Sequence, residues 1–260
     1  MAQEILNYLQ NYFIAFLFLL ERFTLLFFIF PLFTTAYLPA RIKVALSLVL
    51  SLALVPVIKL NIPFPDSPLA LFFFLLSDFL IFFLLSLFLR FILAGIQVGG
   101  EMVGLQMGFG ISQTIDPISG VSIPILSEFL FLLFLLFFFT LDFHHHLLTF
   151  VVYSFDYLPP GLFLFKQDLL SHILKKSGLI FDLSLRVLGP MLLFMLLVYV
   201  VLAIVGRFIP QMNVMFVSFP LTLGLGLIIF GLMLLFLPKV LTTQLSNFKS
   251  FTLYLLKAGQ

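Results

Sequence analysis

Hydrophobic residues run along this chain in six long stretches, at about 12–30, 44–58, 69–96, 123–150, 179–206 and 214–237. Each is bounded by proline, glycine or charge, the punctuation expected at helix ends. All but the second reach or exceed the roughly 20 residues that a helix needs to cross a bilayer core. The pattern therefore predicts an all-α integral membrane protein of about six hydrophobic helices. The second stretch, about 15 residues before Pro56, is short for a crossing and predicts a re-entrant or interfacial piece. The first lacks a basic leader, since Glu4 is the one charge before Glu21, and no small-residue cleavage site follows it, so it is expected to be retained.

Composition narrows the function classes. Of 260 residues 63% are hydrophobic and 9% are charged, against roughly 25% charged in a soluble domain. Thirty-eight phenylalanines supply much of the bulk, and with no cysteine disulfide and thiolate chemistry are absent. The 13 basic and 11 acidic residues are spread along the chain, with no basic run able to track a phosphate backbone, so nucleic acid is not an expected partner.

Several charges fall inside or at the edges of the apolar runs: Glu21, Arg22, Asp78, Arg90, Glu128, Asp142 and Arg186, with Glu101 beyond the third run as a further candidate for a buried or interface charge. Insertion into lipid costs about 3 kcal/mol for each charge at the bilayer centre, so they cannot all face lipid there. They are expected to pair inside the protein, to lie at subunit interfaces, or to reach water. Asp78, Glu128 and Asp142 could instead serve as proton relays in a stand-alone ion-coupled transporter. That class predicts two similar halves with broken helices, and no internal repeat is visible. Asp142 and His146 are four apart and invite a metal reading. Successive histidines at 144–146 point about 100° apart, however, so at most one or two could join Asp142, and a polar helix end is the plainer assignment. Neither a metal nor another cofactor is expected. Phosphate-binding, zinc-protease, hydrolase-elbow and dinucleotide motifs are missing, so no enzymatic activity is predicted.

The segment at 99–124, GGEMVGLQMGFGISQTIDPISGVSIP, differs in character from the rest. Gly100, Gly104 and Gly108 recur every four residues and share a helix face, a spacing that admits close backbone packing. After Gly110 the chain turns polar and breaks at Asp116, Pro117 and Gly120. An irregular backbone at membrane depth must be shielded by protein or line a water-filled cavity; an ordinary extramembrane loop is the alternative.

Three motifs in this order resemble the FliR family of the flagellar type III export gate and its injectisome counterparts, the SctT proteins. The first is GEMVGLQMGFGISQTIDP at 100–117, which carries Gly100, Glu101, Gly104, Gln106, Met107, Gly108, Asp116 and Pro117 of the family pattern. The second is RFIPQMNVMFVSFPLTLGLGL at 207–227, with Arg207, Pro210, Gln211, Asn213, Val214, Phe219 and Pro220. The third is the run from Pro31 through Pro39 and Arg41 to Pro56. Departures are small: Ser218 stands where the family usually has glycine, and Phe143 precedes the histidines where it often has a glycine.

The resemblance implies a core structural subunit of the flagellar gate. With FliP-type and FliQ-type subunits it would form the pore through which unfolded flagellar proteins leave the cytoplasm. The implied location is the bacterial inner membrane, at the flagellar basal body. It further implies a FliP-like portion over about 1–180 joined to a FliQ-like hairpin over 181–260, with much of the assembly held above the bilayer plane. Residues 106–122 would form a pore plug that includes Gln106, Met107, Gly108, Phe109, Gly110, Ile111, Asp116, Pro117 and Gly120. Met107, Phe109 and Ile111 are its candidate apolar stoppers. Arg207, Pro210, Gln211, Asn213, Phe219 and Pro220 would form a turn or an assembly contact.

Overall fold

The computed structural model describes residues 2–34, 38–58, 67–110, 124–160, 174–209 and 214–258. Helices dominate, and no strand occurs among the described residues. In chain order they are α1 (Ala2–Ile29), α2 (Ala40–Leu54) with a 3-10 turn at Val55–Val57, α3 (Pro68–Met107), α4 (Ile125–Thr140), α5 (Phe143–Tyr157), α6 (Leu179–Phe208), α7 (Val214–Leu234) and α8 (Leu237–Ala258). Five helices are long and apolar enough to cross a membrane among the described residues, or six if α4 and α5 together make one span.

Three boundaries differ from the sequence expectation, each for a physical reason. The second stretch begins four residues before the apolar run, at Ala40 directly after Pro39, whose φ −58° and ψ 144° lie outside the helical region, because proline disfavours a helical residue before it and suits a helix start. With the following turn it is long enough to span, at Ala40–Val57. The stretch at 123–150 is two helices rather than one. Asp142 stands between them with φ 56°, a left-handed conformation that aspartate tolerates better than most residues and that breaks the helical hydrogen-bond ladder. Finally, α8 follows the sixth apolar stretch. It is amphipathic rather than uniformly apolar, with Leu241, Leu245, Phe248 and Leu255 buried and Lys239, Lys249 and Lys257 exposed, so a search for continuous hydrophobicity passes over it.

Two compact units are interleaved along the chain. One comprises residues 1–90, 142–175 and 246–260, the other residues 91–141 and 176–245. They follow packing, whereas the expected boundary near residue 180 follows resemblance to other subunits, so the two divisions answer different questions.

The first unit is built on aromatic interdigitation. Phe23, Phe82, Phe88, Phe150 and Phe248 are all fully buried. Phe82 meets Phe150 edge-on at 6.1 Å, and Phe88 stacks on Phe251 at 4.6 Å, geometries that add about 0.5–1.5 kcal/mol per pair beyond area burial. In the same unit α2 lies against α1 with its polar side inward. Lys43, Ser47 and Ser51, each four residues apart, are buried, whereas Ile42, Val44, Leu46, Val49 and Leu52 are exposed. Each serine hydroxyl donates to the carbonyl four residues back, at 2.8 and 2.6 Å, so the two serines are locally satisfied and small. Lys43 places its ammonium 5.5 Å from the Phe28 ring centroid, a cation–π contact.

In the second unit α6 packs on α7, and both leave wide apolar faces outside. In the most apolar 18-residue window of each helix, 22% of residues are buried within Leu188–Phe208 and 17% within Phe216–Leu234, against 61% within Pro68–Met107. This is the burial expected of helices that face lipid or other subunits rather than water.

Candidate functional site

The first polar cluster lies wholly in the first unit. Arg22 of α1 and Asp78 of α3 are both completely buried. The guanidinium Nε donates to Asp78 Oδ2 at 2.6 Å and Nη2 to Oδ1 at 2.9 Å, the two-pronged arrangement that a planar fork and a carboxylate favour. Nη1 donates to Ser154 Oγ at 2.6 Å and Nη2 also to the Leu158 carbonyl at 2.7 Å. The Phe155 ring lies 4.0 Å from the guanidinium carbon. One cation thus ties three helices, and every partner it needs is supplied from inside the unit. Asp78 commits both carboxylate oxygens to this one cation. Beside Arg22 in sequence, Glu21 is half-buried, and its Oε2 has no hydrogen-bond partner among the described residues.

The second constellation lies wholly in the second unit, where the 100–117 and 207–227 motifs meet. Along residues 95–108 of α3 and the turn after it, glycines let neighbouring helices approach. A Cβ on Gly95 would lie 3.0 Å from Leu183 Cβ and 3.1 Å from the Ile180 carbonyl; one on Gly100 would lie 2.9 Å from Ser127 Cα. These neighbours are backbone or Cβ atoms and cannot swing aside. Serines stitch the same contacts: Ser184 Oγ reaches the Gly95 carbonyl at 2.7 Å, and Ser127 Oγ donates to the Gln97 carbonyl at 2.9 Å. Gly104 has more room, with Leu126 Cδ1 3.8 Å from a hypothetical Cβ.

At the end of α3, Gly108 adopts φ 94°, which favours glycine, and a Cβ there would meet the Phe219 ring of α7 at 3.1 Å. Met107 is fully buried and fills the space above Gly226. The Tyr199 hydroxyl of α6 donates to the Gln106 carbonyl, while the Gln106 side-chain Oε1 is buried without a hydrogen-bond partner among the described residues. Phe109 and Gly110 are half-buried. With Glu101, Gly104, Pro124 and Leu126 they line a shallow cleft between the ends of α3 and α4. Ile111, Asp116, Pro117 and Gly120 lie outside the described residues, as do Pro210, Gln211 and Asn213.

The remaining charges occupy varied places. Arg207 is exposed in the last turn of α6, where a cation faces the negative helix end. Glu128 sits in the first turn of α4, where a carboxylate meets the positive end. Arg90 and Glu101 are exposed on this chain, with Arg90 Nη2 3.3 Å from the Ile29 carbonyl. Arg186 and Asp182 form an exposed pair one turn apart at 2.7 Å. Pro220, inside α7, has no N–H to return to the Phe216 carbonyl.

The sequence reading did not anticipate Ser154, Tyr199, Ser127, Ser184 or Gly226. Isolated polar or tiny residues in Phe and Leu helices are the signal that could have marked them, since a membrane helix retains such residues mainly where another helix approaches.

Helices long and apolar enough to cross a bilayer, with apolar faces turned outward, define an all-helical integral membrane protein. Residues 13–248 match the bacterial export proteins, family 1, and the chain belongs to that family. It is similar to the Flagellar biosynthetic protein FliR of Pectobacterium carotovorum subsp. carotovorum, 28% identical over 212 residues, covering 80% of this chain and 79% of that one. To the Flagellar biosynthetic protein FliR of Escherichia coli (strain K12) it is 29% identical over 200 residues, 76% of this chain and 75% of the relative. The protein of the same name from Bacillus subtilis (strain 168) is 31% identical over 150 residues, 56% of each chain.

Proposed function

We propose that this chain is a core structural subunit of the flagellar type III protein export gate, assembling with FliP-type and FliQ-type subunits in the bacterial inner membrane around a pore for unfolded flagellar proteins. The observation that carries this reading is the outward apolar face of α2, α6 and α7, together with membership of an export family whose named relatives are flagellar. A forty-residue α3 supports it further. At about 1.5 Å per residue the helix is about 60 Å long, roughly twice the hydrocarbon thickness, so much of it must project beyond the bilayer or be steeply tilted. A helix as apolar as this one, outside lipid, needs protein neighbours.

In this reading residues 106–122 form a plug that constricts the resting pore, with Gly108 as the pivot at its base and Phe109 and Ile111 among the apolar groups that exclude water and ions. Arg207, Pro210, Gln211, Asn213, Phe219 and Pro220 shape the α6–α7 turn that seats the plug base, a role supported by the Phe219 ring against Gly108. The portion from about 181 onward acts as a FliQ-like hairpin beside a FliP-like remainder. Asp78, tied into a salt bridge, gives the transporter alternative little support.

The test uses a photo-crosslinking amino acid in place of Val49 or Leu52, on the exposed side of α2, in cells that make the whole export apparatus. Crosslinks to a FliP-type or FliQ-type subunit are expected; crosslinks to lipid alone would contradict the reading. Deleting residues 110–120 should raise ion leakage through the purified gate without preventing assembly, and an unchanged leak would remove the plug.

A further inference from the structure

Among the described residues, Asp142, His144 and His145 bring one potential ligand atom each to within 4.8 Å of one another. All three belong to one compact unit, and the cluster plays no part in the export reading. We infer that these three residues form a binding site for a divalent transition ion of the Zn²⁺ class.

The backbone prepares the site. Asp142, with φ 56°, precedes α5 and turns its carboxylate back over the first helical turn, where His145 Nδ1 lies 3.3 Å from Asp142 Oδ1. For metal–ligand distances of about 2.0–2.2 Å, the edge of a tetrahedron is about 3.3–3.6 Å, so this pair already stands at the separation that an ion requires. The His144 and His145 rings are 4.1 Å apart between centroids. The side chains of Asp142 and His145 are largely exposed, so the closure from 4.8 Å needs only side-chain rotation. Because all ligands fall within four consecutive positions, little chain entropy is lost on closing the site.

Two imidazoles and a carboxylate suit Zn²⁺, Ni²⁺ or Cu²⁺ better than Mg²⁺ or Ca²⁺, which prefer all-oxygen sites. Water completes the coordination. His146 is not among the three converging residues; its Nε2 lies 2.8 Å from Thr252 Oγ1, and because that hydroxyl already donates its one proton to the Lys249 carbonyl at 2.7 Å, His146 Nε2–H is the donor there.

The test is calorimetric titration of the full-length protein in detergent with ZnCl₂, after chelator treatment and with an affinity tag that contains no histidine. One saturable equivalent is expected. His145→Ala and Asp142→Asn should each weaken it at least tenfold, whereas His146→Ala should stay within about twofold. Co²⁺ added to the unmodified protein should give the visible absorption of a low-symmetry four-coordinate ion, a readout that needs no variant to fold. No saturable Zn²⁺ binding, or equal affinity in the unmodified protein and His145→Ala, would overturn the site and leave the cluster a hydrogen-bonded helix start.

Discussion

From residue 68 to 90, α3 is held by what its side chains reach: Asp78 grips Arg22, and Phe82 and Phe88 lock into rings from α5 and α8. From 91 to 107 the same helix is held by what its side chains lack, since Gly95 and Gly100 let neighbouring helices come within backbone contact. The difference teaches which change each region cannot bear. The first fails when a partner is removed, because a buried charge is then left unpaired; the second fails when an atom is added, because there is nowhere to put it.

Asp78→Ala should be the most damaging single change, since it strands the Arg22 guanidinium in an apolar interior at a cost of about 3–5 kcal/mol. The thermal midpoint of the detergent-purified protein measures it. The double change Arg22→Met with Asp78→Leu should recover most of that loss, because an apolar pair of similar volume requires no desolvated charge. If the double variant proves as unstable as Asp78→Ala, the Ser154 and Leu158 contacts matter more than the pair itself.

Gly100→Val should come next, costing about 1–3 kcal/mol by overpacking against Ser127. Gly104→Ala, one turn along, should be neutral or stabilising by up to about 1 kcal/mol, because Leu126 leaves space and alanine is the better helix former. Equal losses at the two glycines would mean that helix–helix distance is not what the stripe controls. Among the destabilising changes Tyr199→Phe should have the smallest effect, about 1 kcal/mol for one lost hydrogen bond to the Gln106 carbonyl, read in the same melting experiment.

Much of this was legible in the sequence, unevenly. Unbroken apolar runs located α1, α3, α6 and α7 because membrane helices must be hydrophobic over their full length. The histidines after Asp142 marked a polar helix end, but the break itself was hidden because apolar runs continue on both sides of this short polar stretch, and a single left-handed residue leaves no trace in hydropathy. The buried side of α2 was written in Lys43, Ser47 and Ser51, a polar stripe whose meaning is inverted when the surroundings are not water. Arg22 and Asp78 each stood out as charges needing a partner, but a separation of 56 residues has no local signature, so their pairing required the fold. The glycine repeat at 100, 104 and 108 was plain. That its members do unlike things, one meeting backbone, one loosely packed and one turning the chain, follows from neighbours the sequence does not name.

The central claim, that the outward apolar faces belong inside an export gate, is tested most directly by weighing the assembled particle. A tagged copy is co-expressed with the FliP-type and FliQ-type proteins of the same genome, and the detergent-purified complex is measured by native mass spectrometry. The account predicts a stable particle with one copy of this chain and several of each partner. A chain that purifies alone, or as a symmetric homodimer in the presence of both partners, would contradict it.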